Sequence, residues 1–415
     1  MKRVVVTGIG TINPLANNVA DFWTALAAGK SGAAEITRFD VSKFKTRFAC
    51  EVKNYVPLDH FEKGEVRKYD LFSQYALISA EEAVKQSGLL DSNVNKERVG
   101  VIWASGNGGI GTLEEQVTEF AKGDGTPRFN PFLVPKMIAN IASGLIAIRY
   151  GFKGINYVTV SACAAGNNAI MDAFNYIRWG KADVMVTGGS EAPITHASLG
   201  GFSSMKALST LNENPQGASR PFDKNRDGFV LGEGGAALIL ESYEHAIARG
   251  ATILAELTGA AMTSDAYHIS ATHPEGEGAY RAMKLALEDA GITVNDIDYV
   301  NAHATSTGVG DPSEVIAMAS LLKGTDKKLT VSATKSMTGH LLGGAGAIEA
   351  IVSIKAIQDN IIPPSINIEE LDEVIPANIE VVANKAMNKE VNIAMSNTFG
   401  FGGHNAIVIF KKYKD

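Results

Sequence analysis

A helix, a glycine and a strand occur twice along this chain in the same order. AEEAVKQSGLL at residues 80–90 leads into RVGVIWASG, and AMKLALEDAGI at 282–292 leads into DIDYVNAHATS, with Gly88 and Gly291 offset by 203. A second echo joins TVSACAAGNNAIMDAF to TVSATKSMTGHLLGGAGAIEAIVSI, where Ser161 and Ser332 are offset by 171. A glycine after a helical run is a C-cap signal, and self-similarity at a long period means a duplicated unit. Two similar halves are expected, 1–252 and 253–415. The two offsets differ by 32 residues, which places an insertion in the first half at 106–156, in the Gly/Pro-rich stretch GNGGIG…TPRFNPFLVPKM. Such a segment should line or cover a site. β-Branched runs at 4–7, 99–104, 157–160 and 184–187 alternate with helical runs at 74–86 and 167–179, an α/β layered pattern with mostly buried strands.

With 415 residues, 45% hydrophobic and 20% charged, the chain can bury a large core. No stretch approaches the length of a membrane span, so no membrane insertion is expected. A net charge of −7 speaks against broad nucleic-acid binding, while a local basic patch could still dock an acidic partner. Two cysteines, Cys50 and Cys163, are too few for a disulfide framework and suit a reducing, cytoplasmic setting. Two motifs mislead. GNGGIG at 106–111 matches a dinucleotide fingerprint, but the chain runs into the insertion and not into a βαβ unit with a ribose-binding acid. DKNRDG at 223–228 begins like a calcium loop, yet Glu233 falls at position 11 where position 12 is needed, so a turn is expected.

Cys163 lies where a β-branched strand meets a helix beginning near 164–166. That position exposes the sulfur to backbone N–H groups, and a helix N-terminus favours thiolate. The small neighbours Ser161, Ala162, Ala164, Ala165 and Gly166 leave room for a substrate carbonyl. Alone, a cysteine among alanines also reads as core packing. Two other runs decide: NAHATSTGVGD sets His303 at a strand end in a loop of hydroxyls, and SATKSMTGHLLGGAGAIEA sets Lys335 and His340 before a helix carrying Glu349. NTFGFGGHNA, at 397–406, adds a glycine-hinged aromatic turn before the strand AIVIF.

With VSACAAG, SRPFDKNRDGFVLGEG, VNAHATST, TKSMTGHLLGGAGAIE and SNTFGFGGHNA all present in order, the chain resembles, over essentially its full length, the β-ketoacyl-acyl-carrier-protein synthases, and among them synthase II. The resemblance implies a thiolase-like five-layered α-β-α-β-α sandwich of two similar halves, usually a homodimer. It implies decarboxylative condensation of an enzyme-bound acyl group with malonyl-acyl-carrier protein in fatty-acid elongation. Cys163 is then the nucleophile, and His303 and His340 stabilise the enolate, with Lys335 behind them paired to Glu349. The N–H groups of Cys163 and Phe401 form the oxyanion hole, and Phe401 on Gly400, Gly402 and Gly403 gates the acyl pocket. Thr305 and Thr307 meet the phosphopantetheine arm, and Phe202 and Asn107 line the acyl pocket. Arg67, Lys68 and Lys206 form the rim that docks the acyl carrier protein. No cofactor is implied for the chemistry, but the family's structural monovalent cation would sit among Asn301, Glu349, Ser396 and Asn397.

The chain departs from the family pattern in several places. Ala304 replaces a usual glycine, Gly308 a common proline and His404 a frequent threonine, while Asn107 stands where an apolar residue is frequent. A thiolase would need a second cysteine in the C-terminal half, and Cys50 is near the N-terminus. An initiating synthase carries Asn where His340 stands. A noncatalytic chain-length subunit typically lacks the cysteine. A ketosynthase of a specialised polyketide or aryl-polyene type pathway remains the alternative.

Overall fold

The computed structural model describes residues 1–414, and the repeat is visible in its strand order. The first half supplies β1 (Val4–Ile12), β2 (Val99–Ala104), β3 (Asn156–Thr159), β4 (Val184–Glu191) and β5 (Gly234–Ser242). The second supplies β6 (Ala255–Ser264), β7 (Tyr299–Asn301), β8 (Leu329–Ser332), β9 (Ile379–Val381), β10 (Ile393–Gly400) and β11 (His404–Lys411). Spatially the strands run β3-β2-β4-β5-β1 and β8-β7-β10-β11-β6, with β9 outside β8. In each set three parallel strands are followed by two antiparallel ones. Within the sheet the halves join where Val4–Val6 of β1 pairs with Ala255–Leu257 of β6, and single bridges outside it link Leu231 to His340 and Asp223 to Leu371.

Helices α1 (Leu71–Ser87), α2 (Ile110–Lys122), α3 (Ile141–Tyr150), α4 (Ala165–Arg178), α5 (His196–Ser204), α6 (Glu277–Ala290), α7 (Gly310–Leu321) and α8 (Ala345–Asp359) complete the layers. α1 covers the outer face of the first sheet, and α6 with α7 covers that of the second; α4 and α8 touch strands of both halves and each other. That is the expected α-β-α-β-α sandwich. The middle layer is buried and small-residue rich, because helices facing two sheets at once have no face left for solvent. Ala165, Ala169, Ala173, Ala347, Ala350, Ile351 and Ile354 are all buried there.

The two central helices meet at their first turns, where only glycine fits. A Cβ on Gly166 would lie 2.8 Å from the Ala347 nitrogen, and one on Gly346 would lie 2.6 Å from that of Asn167. The contact is reciprocal, as a two-fold related pair requires. It brings the segment before each helix, which carries Cys163 in one half and His340 in the other, to one place.

The structure corrects the register of the second echo. β3 matches β8 at an offset of 173, not 171, but the short turn 162–164 ahead of α4 matches 342–344 ahead of α8 at an offset of 180. Two residues (160–161) separate strand from turn in the first half and nine (333–341) in the second. The longer connection holds both Lys335 and His340, and an ungapped comparison could not absorb it. The extra length in the first half lies between β2 and β3, which are joined by α2, α3 and the short helix Leu133–Met137, whereas β7 and β8 are joined by α7.

Candidate active site

Each turn that leads into a central helix contains a non-glycine residue with left-handed backbone, Ala162 at φ 49° and Leu342 at φ 48°. Such torsions cost of order 1–3 kcal/mol and persist where packing over-determines them. Here they turn the chain so that Cys163 faces His303 and His340 across one cavity of about 310 Å³, lined also by Thr305, Thr307, Phe202, Phe399, Phe401 and Lys206. The rings of His303 and His340 stand edge to face at 5.3 Å. Phe229 packs edge-on against His340 at 5.3 Å and Phe399 against His303 at 5.6 Å.

Both imidazoles are held well below their ordinary pKa, first by burial and then by the positive charge of Lys335. They are therefore neutral. Each Nδ1 is buried without a hydrogen-bond partner, which leaves the Nε2 edges to meet the cavity. A bare buried lone pair is cheaper than an orphaned N–H, so the proton belongs on Nε2, the donor tautomer. The Lys335 ammonium, 1% exposed, is ion-paired with Glu349 Oε1. Burial pushes the Glu349 carboxyl up to about 7 against the pull of Lys335. The backbone of the His303 loop is gripped by Glu314 of α7, whose carboxylate accepts the N–H groups of His303 (2.9 Å) and Ala304 (2.8 Å) and the side-chain amide of Asn397 (2.9 Å).

Cys163 departs from expectation in its acidity. Burial pushes its thiol up to about 12, and Glu191 adds to the rise, while Lys335 and the backbone N–H groups of Phe401 and Cys163 act the other way. A helix N-terminus alone does not deliver thiolate when the sulfur is desolvated. The two N–H groups expected to form an oxyanion hole both bear on the sulfur. Phe401 lies in the tight turn between β10 and β11, where Gly402 (φ 86°) and Gly403 (φ 77°) take torsions that side chains resist. A Cβ on Gly400 would lie 3.0 Å from the Cys163 nitrogen. The turn is tied to a neighbouring loop by Gly402 N–H to Ile269 O and Asp265 N–H to Gly403 O, both 2.8 Å.

Thr305 and Thr307 stand side by side on the cavity wall, their hydroxyls 3.1 Å apart. Asn301, Glu349, Ser396 and Asn397 each keep one buried oxygen without a partner: Oδ1, Oε2, Oγ and Oδ1. Asn301 and Ser396 pair across β7 and β10. Orphaned buried acceptors call for a donor or a cation, so these residues fit the monovalent ion the resemblance implies.

Other expected positions fall elsewhere. Asn107 is exposed and does not line the cavity, because its backbone N–H (3.2 Å) and side-chain amide (3.5 Å) turn toward Glu191. Of the three basic residues expected at a rim, Lys206 lines the cavity; Arg67 and Lys68, on the short helix Lys63–Lys68, are exposed but do not. The glycine-rich loop 106–111 offers a phosphate few donors, since the N–H groups of Gly106 and Asn107 go to Glu191, that of Gly108 to Ser105 Oγ and that of Gly109 to the Met137 carbonyl. DKNRDG is a turn in which the Asp223 carboxylate accepts the N–H groups of Asn225, Glu369 and Glu370. Sequence reasoning missed Glu191, Glu314, Phe229 and Phe399. Phe399 sits in a motif already singled out, and Glu314 was visible as an acid on the apolar face of α7.

A neutral histidine pair facing a cysteine with two backbone donors can support nucleophilic acyl transfer and can stabilise an enolate oxygen. Residues 1–246 match the family model for the β-ketoacyl synthase N-terminal domain, and residues 254–369 that for the C-terminal domain. A 3-oxoacyl-[acyl-carrier-protein] synthase 2 of Synechocystis sp. is 46% identical over 413 residues, covering 100% of this chain and 99% of that protein. A β-ketoacyl synthase from Burkholderia phymatum superposes with a TM-score of 0.92 at 34% identity, covering 100% of both chains. A type II polyketide ketosynthase, bound to a hexaketide and solved in complex with its acyl-carrier protein, superposes with a TM-score of 0.90 at 32% identity, again over 100% of both chains.

Proposed function

The chain belongs to the β-ketoacyl synthase family, and from that premise we propose which of its residues perform the reaction. It is an acyl-transferring condensing enzyme of fatty-acid elongation. Cys163 receives the acyl group. The Cys163 sulfur attacks the thioester carbonyl of acyl-carrier protein, the bond from that carbonyl to the pantetheine sulfur breaks, and the thiol proton passes to the departing pantetheine sulfur. Malonyl-carrier protein follows along the path lined by Thr305 and Thr307. Its carboxylate leaves as carbon dioxide, and the electron pair of the broken C–C bond becomes an enolate whose oxygen accepts from Nε2–H of His303 and His340. The enolate carbon attacks the acyl-cysteine carbonyl. The oxyanion that forms is held by the N–H groups of Cys163 and Phe401, and its collapse returns the cysteine and releases a β-ketoacyl chain two carbons longer.

The observation that carries this reading is the single cavity shared by Cys163, His303 and His340. Burial, aided by the charge of Lys335, keeps both histidines neutral, and Phe401 gates the pocket through its glycine hinges. A monovalent cation held by Asn301, Glu349, Ser396 and Asn397 would balance the Glu349 carboxylate and brace β7 against β10. Arg67, Lys68 and Lys206 dock the carrier protein; their exposure supports this. We place the enzyme in the cytoplasm as a homodimer of chains with halves 1–252 and 253–415. The open outer edge of β3 and the half-exposed Phe129, Phe132, Val134 and Ile138 of the insertion support a second copy there. Among the described residues no helix is long and apolar enough to cross a membrane.

Incubation of the protein with acyl-carrier protein and then malonyl-carrier protein should release carbon dioxide and a two-carbon-longer β-ketoacyl product in equal amounts. Acyl transfer without carbon dioxide release would overturn the condensing role.

A further inference from the structure

One wall of the cavity is built from α5 and the residues just after it, and this helix contains two glycines that its static packing does not require. Gly200 and Gly201 lie in the helix interior with ordinary helical torsions. A Cβ on Gly201 would meet nothing within 4 Å, and one on Gly200 would meet only a Phe44 ring carbon at 3.7 Å, an ordinary contact. Alanine would fit at both and would favour the helix, since glycine in a helix interior costs backbone entropy. The contrast with Gly166, Gly346 and Gly400 around the same site is plain, because at each of those a Cβ would collide with backbone.

The two ends of α5 are held very differently. Thr195 caps the N-terminus through the N–H of Ser198. Glu114 of α2 accepts the N–H groups of His196 (3.2 Å) and Ala197 (2.6 Å) and meets His196 Nδ1 at 2.8 Å. Leu199 is fully buried in the apolar cluster that contains Cys163. Beyond the glycines, Ser204, Met205 and Lys206 are exposed, and Phe202 is half-buried, its ring edge-on to Phe229 at 5.3 Å and tilted to Phe401 at 6.4 Å. Phe202, Met205, Lys206 and Ala207 are the residues of this segment that line the cavity.

We infer that Gly200–Gly201 is a hinge in the acyl-pocket wall: the anchored N-terminal half of α5 stays fixed while the segment 202–207 bends away, so that Phe202 yields space to a long acyl chain on Cys163. The helix thereby sets which chain lengths the enzyme accepts. This rests on the acyl-transfer reading above, and it assigns chain-length selection to a pair of residues that touch neither the sulfur nor the histidines.

The test is the double variant Gly200→Ala/Gly201→Ala, with acylation of the protein followed by intact mass after mixing with acetyl-, butyryl- and palmitoyl-carrier protein. The variant should melt no lower than wild type and take acetyl and butyryl at the wild-type rate. Its palmitoyl transfer should be slower by about tenfold or more, since a stiffened wall opens less often. Backbone amides of 202–206 should exchange more slowly in the variant. Equal rates at every chain length would overturn the hinge, as would a wild-type enzyme that refuses palmitoyl. A lower melting temperature with all chain lengths impaired would also overturn it, because it would mean that the glycines serve packing. A wild type that takes no acyl group of any length would refute the acyl-transfer reading itself, a distinct result.

Discussion

The proposed chemistry of Cys163 rests on company at a distance. Its local sequence reads as packing or as nucleophile, and the placement of His303 and His340 across one cavity is what favours the second. Burial outweighs the helix N-terminus and leaves the thiol at about 12 in the free protein, with Lys335 pulling it down. Alkylation of Cys163 by iodoacetamide should therefore climb steadily with pH through the neutral and mildly alkaline range, and Lys335→Met should slow it at every pH. A plateau near neutrality would show a thiolate already formed. The histidines divide differently from the cysteine: His340→Ala should still accept an acyl group but condense it roughly 10²–10⁴ times more slowly, the usual worth of a positioned proton donor. Following the acyl adduct and carbon dioxide release separately distinguishes the two steps.

At the level of elements, β4 ends in Glu191, a fully buried carboxyl raised to about 7 by burial although Gly106, Asn107 and Ser105 donate to it. A folded pKa above the unfolded value of 4.5 means that the native state holds the proton between those two values, so this group's contribution to stability falls as pH rises through the interval. Glu191→Gln should match wild type near pH 5 and be more stable near pH 8 by roughly 1–3 kcal/mol in chemical denaturation. A variant less stable at both values would contradict the assignment. Strands and helices were legible in the sequence because β-branched runs and glycine C-caps act locally: 99–104 is a strand as read, and Gly88 and Gly291 do end helices in left-handed geometry. What stayed hidden acts across sequence. The connection 333–341 carrying Lys335 and His340, the grip of Glu314 on the His303 loop, and the turn of Asn107 away from the cavity toward Glu191 all depend on partners that spacing cannot name.

The whole molecule is two copies of one strand order whose central helices cross at Gly166 and Gly346. That symmetry underlies the proposed division of labour, since the strand-to-helix connection carries Cys163 in its final turn in one half and His340 just ahead of the equivalent turn in the other. It also makes the rim a property of the assembled surface. Lys206→Glu and Arg67→Glu should each raise the apparent Michaelis constant for carrier-bound substrate while sparing small thioesters; equal effects on both would remove docking from their role. The account's central claim meets its most direct test in intact-protein and peptide mass spectrometry after mixing with acyl-carrier protein and then malonyl-carrier protein. One acyl adduct on Cys163, absent in Cys163→Ala and discharged when malonyl-carrier protein is added, is the result predicted here. An adduct on another residue, or none with any acyl chain, would contradict it.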